Sequence, residues 1–202
     1  MTLRVPKMIL AAMGGLGAIA APAILAPAQA AVSQASPQAF VESLAQDGLA
    51  VLRSGSEAQK RARFRSLLGE HFAVRQIGDR LIQRWRSRIS SSQYAAYTRA
   101  LPGFILGTYA DRLSSYSRAT VDVQRMQQSG STYLVQTRIT NPGSNPVTAI
   151  WYLTRSGGQY QVYNMRVAGI NLTLNQAQDF DSYIQRNGFD ALVSFMERRG
   201  NS

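Results

Sequence analysis

The chain has 202 residues, of which 45% are hydrophobic, and its 22 Lys and Arg against 11 Asp and Glu give a net charge of +11. It has no cysteine and one histidine, which excludes thiol catalysis, thiolate or multi-histidine metal sites and disulfides. The length suits one domain with a sizeable core and is short for two.

The N-terminal segment has the pattern of a secretory signal peptide. Arg4 and Lys7 precede a run of small and apolar residues that ends in Ala28-Gln29-Ala30, an A-x-A cleavage site. The run is rich in Gly and Ala and lacks a positive flank behind it, which disfavours a membrane anchor. The pattern predicts a cleaved signal peptide at residues 1–30 and a single exported domain at 31–202.

The basic charge is concentrated in one part of the chain. Between Arg53 and Arg88 there are ten basic and three acidic residues. In the cytoplasm such a segment favours nucleic acid as a partner, but the predicted export argues against it. Phospholipid head groups, lipopolysaccharide and acidic faces of partner proteins are then the available polyanions. A solvated helix face that aids solubility explains the charge equally well.

The first half of the predicted domain reads as four helices. Apolar residues recur at helical spacing from Phe40 to Leu52, and further helices are predicted over 57–68, 72–89 and 93–116. Serines 90–92 are natural N-caps for the last of these.

The helix predicted over 93–116 has an unusually aromatic face. Its members, three and four residues apart, are Tyr97, Leu101, Phe104, Ile105, Tyr109, Leu113 and Tyr116. Pro102-Gly103 predicts a bend in the middle of this helix. Two interpretations stay open: the stripe is ordinary core, or it is a wall of a ligand cavity that the kinked helix leaves open.

From Thr120 onward the apolar period changes from 3.6 to 2, which predicts four strands, the last over 159–167. The turns between them are short, so consecutive strands are expected to pair as antiparallel hairpins. Helices over 174–185 and 189–199 close the chain. The predicted fold class is α+β: a four-stranded antiparallel meander sheet packed against N- and C-terminal helices.

The chain offers little for catalysis. His71, beside Glu70, is expected at the surface, and Asp179 and Asp181 point in different directions on a predicted helix, so they form no acid/base pair. The residues alone therefore favour an apolar-ligand binder over an enzyme. A basic adaptor that docks to envelope components stays open, and a secreted hydrolase is the weakest reading.

The order of landmarks resembles the MlaC family, also called toluene-tolerance auxiliary proteins. The helical half contributes Phe72-Ala73-Val74 and Trp85-Arg86, and residues 160–172, YQVYNMRVAGINL, are similar to the family signature W-x-V-Y-D-x-x-x-x-G-V-S-L. A G-x-D-x-L element follows at 188–192. The chain departs from the pattern at three positions, where Ala73 and Asn164 stand for aspartates and Asn171 for a serine.

The resemblance implies a soluble periplasmic carrier of phospholipid rather than an enzyme. Such a carrier moves lipid between an outer-membrane lipoprotein complex and an inner-membrane ABC transporter with an MCE-domain protein, and holds the acyl chains in an apolar cavity between sheet and helices. Transient contact with a membrane surface is expected, and nucleic acid is not. A related branch that carries hopanoid-type lipids, and the basic adaptor that binds no lipid, are the alternatives.

Two sets of candidate residues follow, and no cofactor, metal or catalytic residue is predicted. The lipid-binding candidates are Trp85, Tyr97, Leu101, Phe104, Ile105, Tyr109, Val121, Val123, Trp151, Leu153, Tyr163, Met165 and Val167. The candidates for docking to a partner or an anionic membrane are Arg75, Arg80, Arg84, Arg86 and Arg88.

Overall fold

A computed structural model describes residues 31–201, apart from the side chains of 110–112. Four helices come first: α1 (Pro37–Arg53), α2 (Glu57–His71), α3 (Val74–Leu81) and α4 (Ser91–Ser114). The strands are β1 (Thr120–Ser129), β2 (Thr132–Thr140), β3 (Val147–Ser156), β4 (Gln159–Val167) and β5 (Ile170–Asn171), and α5 (Leu172–Asn187) and α6 (Phe189–Asn201) follow. The predicted α+β class is confirmed. The predicted signal peptide lies outside the described residues.

The sheet is an open antiparallel meander with the strand order β1-β2-β3-β4-β5. The four predicted strands are confirmed, and the fifth adds two residues that pair with the end of β4. In the turn before β5, Ala168 has a φ of 49° and Gly169 a φ of 82°, and the left-handed backbone at Gly169 is one that glycine adopts without steric cost. This tight turn brings the start of α5 back against β4.

The serine cluster begins α4 as predicted. The Ser90 hydroxyl accepts from the Gln93 N–H at 3.1 Å, and the Gln93 side-chain oxygen accepts from the Ser90 N–H at 3.0 Å. This reciprocal capping box satisfies two backbone donors that the first turn of a helix otherwise leaves unpaired.

The helix predicted over 72–89 is wrong in its second half. The helix α3 ends at Leu81, and residues 82–88 form successive turns, with the Trp85 N–H donating to the Ile82 carbonyl at 2.8 Å. Arg84 and Arg88 would be like charges four residues apart on a continued helix, which disfavours it. The Trp85 indole instead donates to Asp181 of α5 at 2.6 Å.

The buried side chains form two separate clusters. The sheet core, between α1, α2 and the sheet, consists of Val32, Phe40, Val41, Leu44, Val51, Leu67, Val135, Trp151, Leu153, Tyr160 and Val162. The helical core, among α3 to α6, consists of Leu81, Ile82, Tyr97, Leu101, Phe104, Phe180, Ile184, Phe189, Leu192, Val193 and Met196.

The helices α4 and α6 cross in close backbone contact. A Cβ atom added to buried Gly107 would lie 1.9 Å from the Arg199 carbonyl oxygen, and one on Gly200 would lie 2.9 Å from the carbonyl carbon of Gly103. Glycine at these positions therefore allows an approach that any side chain would prevent.

His71 is not the surface residue that the sequence predicts. Its side chain is 13% exposed, and its ring lies edge-on to Phe40, with centroids 6.0 Å apart. Burial lowers the pKa of His71 below its ordinary value near 6.5, and the nearby Glu70 and Asp47 carboxylates partly oppose this. The prediction was wrong because the last turn of α2 packs against α1.

Candidate functional site

An open groove of about 1540 Å³ runs between the helices α2, α3 and α5 and the ends of β3 and β4. This exceeds the roughly 300–1,000 Å³ typical of sites for drug-sized ligands. Its apolar lining consists of Leu68, Phe72, Ala73, Val74, Pro102, Leu174 and Ala177. The groove is therefore large enough for an elongated ligand with apolar parts.

One wall of the groove is attached to the sheet through the link between α2 and α3. Phe72 ends α2 and forms a single parallel bridge with Val162 of β4. The backbone N–H of Ala73 donates to the Val162 carbonyl at 2.9 Å. These contacts hold the groove residues Leu68, Phe72 and Val74 close to the strands.

The opposite wall is formed by the first turn of α5. The Asn164 side-chain oxygen in β4 accepts from the N–H groups of Met165 at 2.8 Å and Thr173 at 3.3 Å. Asn171 caps α5 by accepting from the Leu174 N–H at 3.0 Å. These bonds place Leu174, which is 58% exposed, on the groove.

The polar lining is strongly basic. Its charged members are Arg65, Arg75, Arg80, Arg86, Arg155 and one acid, Asp79, a net charge of +4. Three guanidinium groups lie over aromatic rings: Arg80 is 4.4 Å from the Tyr163 centroid, Arg86 is 3.9 Å from Tyr94 and Arg155 is 5.1 Å from Tyr160. Cation–π contacts of this kind hold the planar cation in place.

Asp79 and Arg75 share the hydroxyl group of Tyr94. The hydroxyl donates to Asp79 at 2.7 Å, and a hydrogen bond with Tyr94 raises the pKa of Arg75. Among the described residues, no ion pair closer than 4.0 Å involves any of the five groove arginines. Their charge is therefore available to a ligand.

A second cavity of about 300 Å³ adjoins the groove, since Val74 and Arg75 line both. Its other lining residues are Gly78, Tyr94, Thr98 and Leu101. Beside it the buried Tyr97 hydroxyl donates to the Gly78 carbonyl at 2.9 Å. Burial raises the pKa of Tyr97, so its hydroxyl stays protonated.

The structure places nine of the thirteen lipid-binding candidates in or against the two cores. Trp85, Tyr97, Leu101, Phe104 and Ile105 belong to or pack against the helical core, and Val123, Trp151, Leu153 and Met165 belong to or pack against the sheet core. Tyr163 is buried beneath Arg80, and Tyr109, Val121 and Val167 are half-buried. None of the thirteen is among the described residues that line the groove, and Leu101 lines the second cavity.

The five docking candidates separate into two groups. Arg75, Arg80 and Arg86 line the groove. Arg84 is paired with Asp181, although its own side chain is 75% exposed, and Arg88 lies 5.5 Å from the Trp85 ring centroid.

Hydropathy periodicity does not indicate several groove residues, among them Arg65, Leu68, Arg155 and Leu174. They come from three different elements and meet only in the folded chain. The family pattern was the one signal in the sequence that could have indicated the groove. The three positions at which the chain departs from that pattern all line it: Ala73, Asn164 and Asn171.

The described residues suit noncovalent binding. Within them there is no group of three or more His, Cys, Asp or Glu side chains that could hold a metal ion. Asp181 of α5 is bonded to the Trp85 indole and to Arg84. No helix in this part of the chain has the length and hydropathy needed to cross a bilayer.

Known proteins match the chain at the level of family and fold. A protein from Haemophilus influenzae described as the intermembrane phospholipid transport system binding protein MlaC is 20% identical over 126 residues, which is 60% of this chain and 59% of that protein. A solved structure of a phospholipid-binding protein from Ralstonia solanacearum, in complex with a phospholipid, aligns with a TM-score of 0.70 and 21% identity. The alignment covers 83% of this chain and 98% of the Ralstonia chain, and at this level of identity it shows that the two proteins share a fold.

The family model described as MlaC protein matches residues 42–198. This range includes α2 to α5, the whole sheet and the groove between them. Because the match covers most of the chain, this protein belongs to the MlaC family, as the resemblance of its signature indicated.

Proposed function

We propose that this protein is a lipid carrier that binds a phospholipid in the groove and shields its acyl chains from water. The observation that carries the proposal is the groove of about 1540 Å³, with apolar and guanidinium side chains along one surface, in a member of the MlaC family. A phospholipid has the same division into apolar chains and a charged head. The protein acts as a binding carrier and not as an enzyme.

The energetic need for such a carrier is large. Removing a methylene from water gains about 0.8 kcal/mol, so some thirty methylenes of a diacyl lipid cost on the order of 24 kcal/mol when exposed. A membrane interior and an apolar groove are similar environments for these chains. Transfer between the two is therefore close to neutral, which allows release as well as uptake.

The acyl chains are proposed to lie against Leu68, Phe72 and Leu174. One chain continues past Val74, which lines both cavities, into the smaller cavity against Leu101. Leu101 is thus the one of the thirteen candidates that lines either of these two cavities. Direct lipid contact by the other twelve stays a prediction.

The carrier is proposed to work in the periplasm, after export through a cleaved signal peptide at residues 1–30. There it exchanges lipid with an inner-membrane MCE-domain protein of an ABC transporter and an outer-membrane lipoprotein complex. Family membership, the A-x-A pattern and the name of the Haemophilus protein support this placement. Arg88, which has no carboxylate partner among the described residues, is a better candidate for partner docking than Arg84.

The test of lipid binding compares two aliphatic side chains of nearly equal exposure. Leu174, 58% exposed, lines the groove, whereas Ile170, 56% exposed, does not. The purified protein is stripped of lipid, incubated with phospholipid vesicles, separated from them and extracted to measure bound lipid. Leu174→Glu is expected to reduce bound lipid about tenfold, because burying a leucine side chain against the acyl chains is worth about 1.5–3 kcal/mol.

Ile170→Glu adds the same charge at the same exposure and is expected to load like the wild type. Equal loading by both variants and the wild type would show that lipid does not bind in this groove. No loading by any of the three would contradict the carrier function itself.

A further inference from the structure

The groove contains more positive charge than is needed to shield acyl chains. Arg65, Arg75, Arg80, Arg86 and Arg155 face a single carboxylate, Asp79, which already accepts a hydrogen bond from Tyr94 at 2.7 Å. Arginines that only keep a protein surface solvated need no particular spatial arrangement. Here the guanidinium groups come from two helices, a turn and a strand and line one cavity.

Aromatic rings hold three of these arginines in place. The guanidinium carbons of Arg80 and Arg155 lie 4.4 Å and 5.1 Å from the ring centroids of Tyr163 and Tyr160, two tyrosines of β4. A guanidinium that stacks on a ring leaves the N–H donors in its own plane uncovered, because the ring contacts only its face. In Arg155 the Nε donates to the Gly158 carbonyl at 3.2 Å, so the donors that it offers to a ligand are those of the terminal nitrogens. These donors suit the paired oxygens of a phosphate group.

We propose that the groove arginines recognise the charge of the lipid head group, so that the protein selects phospholipids with a net negative charge over zwitterionic ones. This inference rests on the proposed phospholipid-binding function and specifies its ligand. Both lipid classes carry the phosphate that arginine binds. A zwitterionic head group also brings an ammonium group into a groove of charge +4, where it is repelled.

The lack of a competing carboxylate strengthens this selection. Asn164, on the groove, contributes a neutral side chain whose oxygen is used by the N–H groups of Met165 and Thr173. An aspartate at this position would keep both hydrogen bonds and lower the groove charge by one. The protein therefore offers an isosteric way to change the charge without removing an arginine.

The experiment is a competition between two lipids with identical acyl chains. Lipid-stripped protein is incubated with vesicles of equal parts dioleoyl phosphatidylglycerol and dioleoyl phosphatidylcholine at 0.1 M salt, and extracted lipid is identified by mass spectrometry. The wild type is expected to bind the anionic lipid in about tenfold excess, corresponding to about 1.4 kcal/mol. Arg80→Gln combined with Arg155→Gln is expected to bring this ratio close to one, and Asn164→Asp to lower it several-fold.

The matched control is Arg138→Gln combined with Arg166→Gln, which removes two exposed arginines of the sheet that do not line the groove. It is expected to keep the wild-type ratio. Loss of the preference in this control as well would show that overall charge, not the groove, attracts the lipid, and would overturn the proposal.

Three further results would overturn it. Uptake of both lipids in equal amounts by the wild type refutes the selectivity and leaves the carrier function intact, whereas uptake of neither refutes both. An unchanged ratio in the Arg80/Arg155 variant assigns these arginines to a protein partner instead.

Discussion

Glycine-to-alanine substitution is expected to lower the stability of the fold at Gly107, where α4 crosses α6, and to raise it at Gly48 in α1. At Gly107 the new Cβ atom would lie 1.9 Å from the Arg199 carbonyl oxygen, where the closest favourable C···O separation is about 3.3 Å. At Gly48, inside α1, no atom lies within 4 Å of the corresponding Cβ. Both glycines are in helix interiors, so alanine gains the same helix propensity over glycine at the two positions.

The expected effects follow from these two distances. Gly107→Ala forces α6 away from α4 by more than 1 Å and disturbs Leu192 and Met196, which are fully buried. Overpacking of this kind costs up to about 3 kcal/mol, and the higher helix propensity of alanine returns about 1 kcal/mol. The net loss is about 2 kcal/mol. Gly48→Ala gains about 0.5–1 kcal/mol, because only the propensity changes.

Thermal and urea unfolding, followed by circular dichroism, measure both effects. For a domain of this size 1 kcal/mol shifts the Tm by about 2–4 °C, so Gly107→Ala is expected to lower the Tm by about 4–8 °C. Gly48→Ala is expected to raise it by about 1–4 °C. A Gly107→Ala protein as stable as Gly48→Ala would refute the close approach of the two helices.

Two further substitutions test buried polar groups. The Trp151 indole donates to the Thr137 hydroxyl at 3.0 Å in the sheet interior, so Thr137→Val is expected to lose about 1–3 kcal/mol of unfolding free energy in urea titrations. Thr148→Val, at an exposed position of β3, should stay within about 0.5 kcal/mol of the wild type, and equal effects would contradict the buried bond. Because burial lowers the pKa of His71 below 6.5 in the folded protein, the unfolded state binds the proton first as the pH falls. The free energy of unfolding should therefore decrease as the pH falls below about 6.5. In the His71→Gln variant this decrease should be smaller, and identical pH profiles for the two proteins would contradict the burial of His71.

Those parts of the fold that depend on local patterns could be predicted from the sequence. The alternation of apolar residues from Thr120 onward indicates the four long strands, and their short turns indicate the meander. Ser90 begins α4 because a hydroxyl at this position satisfies the first free N–H groups of a helix, whatever the tertiary context.

The errors involve contacts between distant parts of the chain. Residues 82–89 are helical in spacing, but the Trp85 indole is bound by Asp181, almost a hundred positions later. His71 is polar in a basic segment, and only the packing of α2 on α1 brings it to Phe40. Neither contact has a signal in the local spacing of apolar residues.

The groove could be predicted only in outline. A cavity between sheet and helices was expected from the family resemblance. The aromatic stripe of α4 instead pointed to residues of which Tyr97, Leu101 and Phe104 lie in the helical core and Leu113 is exposed. Arg65 and Arg155 line the groove because α2 and the end of β3 meet there. Such a meeting depends on the way the helices pack on the sheet, which periodicity does not specify.

Native mass spectrometry of the protein, purified gently from cells expressing the full chain, tests the carrier function most directly when it is followed by extraction and identification of bound lipid. We expect one phospholipid per protein, with anionic head groups enriched over their share of the cell's lipid. A bound hopanoid or other polycyclic lipid would contradict the phospholipid assignment, and a protein mass free of any lipid would contradict the carrier function.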